Sequence, residues 1–364
     1  MNVFKERIKR IQAIMKSQST DYLVVAPSAN FFYLTGLRTT ADERLQAYLV
    51  PAEGKPVMVL PEMYREAAED VEENSFELLT WSDGTDPVDL LLPLIKGHSA
   101  LAAIDERMWA GHFLQVRKAF SGFEFTGAAK IMRQVRMIKD HNEMSLLEMA
   151  GRLTDKVMAE VLKVIKPDIS EKELAFFVEG KLKEYGAEEL SFKPIVASGP
   201  NTSSPHHHTS ERRLIPGDLV VLDFGGLFQG YCSDMTRTFS VGKASAEIKK
   251  IYQAVKDANE AGFQAVCAGI SCEKVDEAVR DTISRAGYGQ YFIHRTGHGI
   301  GLDIHEDPFI VSGNQETLQT GMTFSIEPGI YIPGQYGVRI EDIVGLSENG
   351  PIRFNNFPRE LIEA

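Results

Sequence analysis

Acidic side chains placed inside otherwise apolar strands limit what this chain can fold into. In LVVLDF, residues 219–224, Asp223 interrupts a run of strand-forming hydrophobes. Asp234 follows in YCSDMTRTFS, Glu327 closes the apolar start of FSIEPGIY just before a Pro-Gly turn, and Glu341 breaks the β-rich GVRIEDIV. A lone carboxylate in an apolar strand is costly. The 217–242 run reads as a hairpin. With its turn centred on Phe228 and Gln229, Asp223 and Asp234 are direct cross-strand partners, with Cβ atoms roughly 4.5–5.5 Å apart. Carboxylates that close repel unless a cation or a proton lies between them. Surface aspartates beside a turn would be the bland alternative, and the apolar strand around Asp223 argues against it. Two divalent cations bridged by the acids, about 3.5–4 Å apart, make both the burial and the proximity favourable.

The stretch HRTGHGIGLDIHE, residues 294–306, adds His294, His298 and His305 among Gly297, Gly299 and Gly301. Two glycines flank His298, and each costs a helix about 1 kcal/mol. The stretch is therefore expected as strand and tight loop, with backbone bare enough for a ligand or a second strand to come close. Taken alone, three histidines in a polar loop are compatible with plain surface residues. The embedded acids supply the partners that make them a site.

At 364 residues the chain calls for two domains. A net charge of −12 argues against nucleic-acid and anionic-membrane partners, both of which need a basic patch. The opening MNVFKERIKRIQAIMK mixes charge into helical spacing, unlike a signal peptide or a membrane span. Cys232, Cys267 and Cys272 form no zinc-type pair and no even framework, so a reducing, cytoplasmic setting is expected. Cys232, close to Asp234, reads as a small buried hydrophobe.

Residues 1–125 alternate an amphipathic helix with strand signals at 22–26, 45–50, 56–60, 76–81 and 100–104, as in a small α/β domain. The Phe31–Tyr33 aromatics are expected in its core, and no phosphate-cradling glycine loop occurs in it. The glycine-spaced 122–129 segment is expected as the connection to a second domain of residues 130–364. There, helix periodicity over 138–165 ends at Lys166-Pro167. A capping box at Ser170 and Glu173 starts a helix that Gly186 ends. A second helical pair over 246–268 and 271–287 repeats the arrangement, so two similar halves of helix, helix and strands are expected, an α+β fold.

Asp223, Asp234, His298, Glu327 and Glu341, in this order and context, resemble the five metal ligands of the pita-bread metallopeptidases, which include methionine aminopeptidase, aminopeptidase P and prolidase. HRTGHGIGLDIHE is similar to the proline-peptidase signature, the likeness spans about residues 137–355, and the front domain resembles the creatinase/prolidase amino-terminal domain. The resemblance implies a pita-bread catalytic domain with pseudo-twofold halves. It also implies two divalent ions, Mn²⁺ first, with Co²⁺, Fe²⁺ or Zn²⁺ also accepted by such ligands. Asp223 would chelate one ion, Asp234 and Glu341 would bridge, and His298 and Glu327 would complete the other. A hydroxide between the ions would attack the scissile carbonyl. Glu327 would be the proton shuttle, and His206 and His305 would bond the substrate carbonyl and the developing oxyanion. His294 resembles a further substrate-site histidine, and Arg339 a group that supports a ligand carboxylate and reaches the substrate. This chain departs from the family by placing His207 and His208 after His206, so which of the three faces inward stays open; spacing selects His206, with the other two partly solvated. The function implied is hydrolysis of an Xaa-Pro bond in a small peptide, as an Xaa-Pro dipeptidase, by a homodimer. The alternatives are an Xaa-Pro aminopeptidase acting on longer peptides and a metal-free creatinase-like hydrolase or peptide-binding module.

Overall fold

The computed structural model describes residues 3–69, 71, 76–96 and 100–364, so Met1 and Asn2 of the expected opening helix lie outside the described residues. The chain forms two compact units, Met1–Arg136 and Met137–Ala364.

The first unit is built on a six-stranded mixed sheet. Its elements are α1 (Val3–Ser17), β1 (Tyr22–Val25), α2 (Ala29–Thr35), β2 (Ala47–Pro51), β3 (Val57–Pro61), α3 (Arg65–Glu69), β4 (Glu77–Trp81), α4 (Val88–Leu91), β5 (Leu101–Ile104), α5 (Ala110–Ala119), β6 (Glu124–Gly127) and α6 (Ala129–Arg136). The strand order is β4-β3-β2-β1-β5-β6. All five expected strands form, and Phe31 and Tyr33 are buried on α2. The 122–129 segment is not the connection expected of it. It supplies the edge strand β6, paired in parallel with β5, and Phe125 packs edge-on against Phe113. Four residues on a sheet edge pair on one side only and carry too short an alternation to be read as a strand. Ile131, Met132 and Val135 of α6 are buried in the same unit.

The second unit repeats one plan twice. Its first half contains α7 (His141–Leu162) and α8 (Glu171–Glu184), followed by β7 (Ile195–Ser198), β8 (Leu219–Phe224), β9 (Leu227–Phe228), β10 (Tyr231–Cys232) and β11 (Met235–Ser240). In the second, α9 (Ala246–Ala265) and α10 (Cys272–Arg285) precede β12 (Gly297–Gly299), β13 (Glu306–Ile310), β14 (Thr323–Ile326), β15 (Gly329–Ile332), β16 (Tyr336–Arg339), β17 (Asp342–Ser347) and β18 (Gly350–Arg353). Each helix pair packs on its own sheet, β11-β8-β7 in the first half and β13-β12-β14-β17-β18 in the second. The Ser170 capping box forms as expected, and Gly186 follows α8 at φ 95°.

The 217–242 hairpin forms with a different register. Gln229 and Gly230 occupy the turn at φ 45° and 90°, the doubly left-handed geometry of a type I′ turn. Phe228 therefore pairs with Tyr231, and Asp223 with Thr236, not with Asp234. The turn lies one residue later than the sequence suggested, because glycine accepts the second left-handed position. The partner thereby moves by two residues, which leaves Asp223 and Asp234 on one face.

Candidate metal centre

Two strands and three breaks between strands deliver the ligand-type side chains. Asp223 is the fifth residue of β8, and Asp234 lies in the gap between β10 and β11, where the backbones of Gly225 and Ser233 approach so closely that a Cβ on Gly225 would sit 1.8 Å from the Ser233 carbonyl oxygen. His298 is the middle residue of β12, where a Cβ on Gly297 would meet the Ser325 oxygen of β14 at the same distance. Glu327 follows β14, and Glu341 occupies the break between β16 and β17.

The five groups converge. His298 Nε2 lies 3.6 Å from Asp234 Oδ2 and 3.5 Å from Glu327 Oε1. Asp234, His298 and Glu341 each offer an atom within 4.8 Å of the others. His298 Nδ1 faces the Gly299 carbonyl at 3.1 Å. A carbonyl only accepts, so the proton is on Nδ1 and Nε2 is left free as a ligand. Asp223 is held by Arg339 at 2.6 Å and Glu341 by Thr236 at 2.7 Å. Their other oxygens, Asp223 Oδ1 and Glu341 Oε1, and Asp234 Oδ1 as well, are buried with no hydrogen-bond partner among the described residues.

Buried carboxylates in contact cannot all remain ionised without a counterion. Burial, reinforced by Glu341, Asp223 and Glu327, pushes the Asp234 carboxyl well up. Burial also raises Glu341, with Glu327 and Asp223 adding to it, and raises Glu327 to about 7. His298 is lowered to about 3, first by burial and then by His305, so its imidazole is neutral. Acceptor-only oxygens without donors, beside a free imidazole nitrogen, are the donor set a divalent cation fits.

These groups open into a cavity of about 690 Å³ also lined by His206, His207, His208, His294, Arg295, His305 and Arg339. His305 stacks edge-on against His298, with 4.2 Å between ring centres. His206 and His208 are exposed, whereas His207 is bonded at 2.9 Å to the buried Glu171. His294 donates from Nδ1 to the Arg295 carbonyl at 2.7 Å, and its Nε2 accepts from the Tyr331 hydroxyl at 3.0 Å. Arg339 donates to that hydroxyl at 2.8 Å, which leaves the phenol's single proton for His294. Burial, then Arg339, lowers His294 to about 4. Most donors of Arg339 are thus taken by protein, on Asp223, Thr236, Tyr331 and the Pro205 carbonyl.

Every residue selected from the sequence thus lines this one cavity. Thr236, Tyr331 and Glu171 were not selected. Thr236, two residues from Asp234 on the same strand face, carried a legible signal. Tyr331 and Glu171 did not, because only tertiary packing brings them in.

The model of metallopeptidase family M24 matches residues 145–348, and that of the creatinase/prolidase N-terminal domain matches residues 7–138. The chain belongs to metallopeptidase family M24. The probable dipeptidase PepE of Mycobacterium bovis is 39% identical over 363 residues, covering 99% of this chain and 96% of the relative. The prolidase structure from Thermococcus sibiricus superposes with a TM-score of 0.95 at 42% identity, covering all of both chains. The Xaa-Pro dipeptidase of Bacillus anthracis does so at 0.91 and 31%, covering 99% of this chain and 100% of that one. Membership in M24 makes the chain a hydrolase of peptide bonds that depends on divalent metal ions, with the pita-bread fold in its second unit and a creatinase-type domain in front.

Proposed function

We propose that this M24 peptidase is an Xaa-Pro dipeptidase that holds two divalent cations, manganese first, on Asp223, Asp234, His298, Glu327 and Glu341. The observation that carries the metal assignment is the set of buried carboxylate oxygens on Asp223, Asp234 and Glu341 that have no hydrogen-bond donor among the described residues. Oxygen donors with one imidazole suit Mn²⁺, and Co²⁺, Fe²⁺ or Zn²⁺ fit the same set. The dipeptide preference is supported by the names of relatives that match this chain from end to end. The cationic Lys193 and Arg295 in the cavity wall suit the free carboxylate that a dipeptide keeps close to its scissile bond.

When bound, the cations supply an acidified water and polarise the scissile carbonyl. The chain's own groups do the rest. Glu327, at the edge of the carboxylate cluster and beside His298, is placed to take a proton and return it to the leaving proline nitrogen. His206 and His305 offer N–H groups to the carbonyl oxygen as charge develops on it. His294, neutral and held by Tyr331, shapes the cavity wall beside them. Arg339 fixes Asp223 and borders the substrate space. The xaa-proline bond has no amide hydrogen, so alignment falls on the ring and the two charged ends of the substrate.

We assign the protein to the cytoplasm, supported by its small, odd number of cysteines, three, with no zinc-type spacing, and to a homodimeric state, supported by its likeness to the family. The deciding experiment compares Xaa-Pro dipeptides with Xaa-Pro-Yaa tripeptides in added Mn²⁺. Free proline from the dipeptides is the expected product. Cleavage of the tripeptides alone would make it an Xaa-Pro aminopeptidase, and no cleavage of either would overturn the peptidase assignment of the site.

A further inference from the structure

The loop that carries the three histidines is closed at both ends on a single carboxylate. Glu171, the first residue of α8, is buried, and its two oxygens take six donors. Oε1 accepts from the Ser198 N–H at 2.7 Å, the Ser198 hydroxyl at 2.7 Å and the Asn201 amide at 2.9 Å. Oε2 accepts from the Ser210 N–H at 2.9 Å, the Ser210 hydroxyl at 2.7 Å and His207 Nε2 at 2.9 Å. An ionised carboxylate has about four lone-pair sites, so this one is saturated. Ser198 and Ser210 bracket the loop, and His207 ties its middle to the same group. An ionised carboxylate can only accept, so the bonded His207 nitrogen carries the proton and cannot also face a substrate. His206, one residue earlier, shares the cavity with the carboxylate cluster and with His294 and His305. His208, exposed like His206, also lines the cavity, and no hydrogen bond from its ring to Glu171 is present among the described residues.

We propose that Glu171 is a positioning residue of the peptidase site and that His207 is the latch through which it sets His206 against the metal-ligating cluster. This rests on reading that cluster as the site of peptide hydrolysis. The histidine run thereby divides into three roles: His206 faces the chemistry, His207 anchors the loop, and His208 is a solvated neighbour. Burial alone would raise the Glu171 carboxyl, but donors from Asn201, Ser210, Ser198 and His207 hold it below its ordinary value, so the anchor stays charged at neutral pH. Its place at the N-terminus of α8 favours the same state.

The test uses the full chain loaded with Mn²⁺ and reads kcat, KM and bound metal for His207→Gln, His207→Ala, Glu171→Gln and His206→Gln. A glutamine at 207 keeps an N–H in reach of Glu171, whereas alanine does not. His207→Gln is expected to stay within about twofold of the parent kcat. His207→Ala is expected to lose about ten- to a hundredfold in kcat, the scale of a misplaced reacting group, with KM and metal content little changed. Glu171→Gln turns an amide N–H₂ toward three donors and is expected to lose at least as much. Should that variant fold poorly, the two substitutions at 207 still decide the matter. Equal losses in His207→Gln and His207→Ala would mean that the imidazole itself acts on substrate, and would overturn the latch. Full turnover in His206→Gln would instead overturn the reading of the site on which the latch depends.

Discussion

At the scale of single residues, the site is a problem of unmatched charge, and each group can be asked what it leaves behind when changed. Asp223→Asn keeps an oxygen for Arg339 to bond, so the fold should survive. It removes the negative charge, so turnover and tightly bound metal should both be lost, with far-ultraviolet circular dichroism unchanged. Arg339→Lys keeps the charge but not the fork that reaches Asp223, Thr236 and Tyr331 together. A change of this kind in a group behind a ligand typically costs about 10- to 100-fold in metal affinity. Titrating both variants with Mn²⁺ checks the two expectations. An Asp223→Asn protein that still turned over substrate would show that the centre lies elsewhere.

At the scale of elements, close backbone approach decides which glycines can change. Gly297→Ala would drive a methyl group into the Ser325 carbonyl of the neighbouring strand, and backbone cannot rotate away as a flexible side chain can. A shift of β12 should destabilise the unit by about 1–3 kcal/mol, the usual scale of overpacking. Because His298 is the next residue, metal affinity should fall in the same variant. A melting curve and a metal titration on one sample test both effects. The same scale shows what the sequence made legible. The embedded acids, the helix pairs and the histidines among glycines were readable, because burial of charge and helical period leave a mark in local order. Hairpin register was not, since a turn displaced by one residue keeps the face and changes the partner. The edge strand β6 was too short to show an alternation. The Glu171 hub joins groups up to 39 residues apart, and no local pattern could announce it.

At the scale of the whole molecule, the proposed site sets metal and proton in competition for the same carboxylates. Asp234 and Glu341 have raised values in the metal-free fold, above ordinary values of 3.8 and 4.5, and Glu327 rises to about 7. An acid raised on folding stabilises the fold while it is protonated, and that contribution is lost as pH rises through the folded-state value. The chelated protein should therefore lose relative stability between about pH 4.5 and 7, whereas bound cations offset the repulsion by mass action. The difference in melting temperature between Mn²⁺-loaded and chelated protein should widen over that interval. A difference that stayed flat or narrowed would mean that the acids are not a shared cation site.

The proposed ligand set draws Asp223 and Asp234 from one half of the second unit and His298, Glu327 and Glu341 from the other. Neither repeat owns a complete set of donors. In the present chain a coloured ion such as cobalt would take its tint only from molecules whose two halves had already closed on each other.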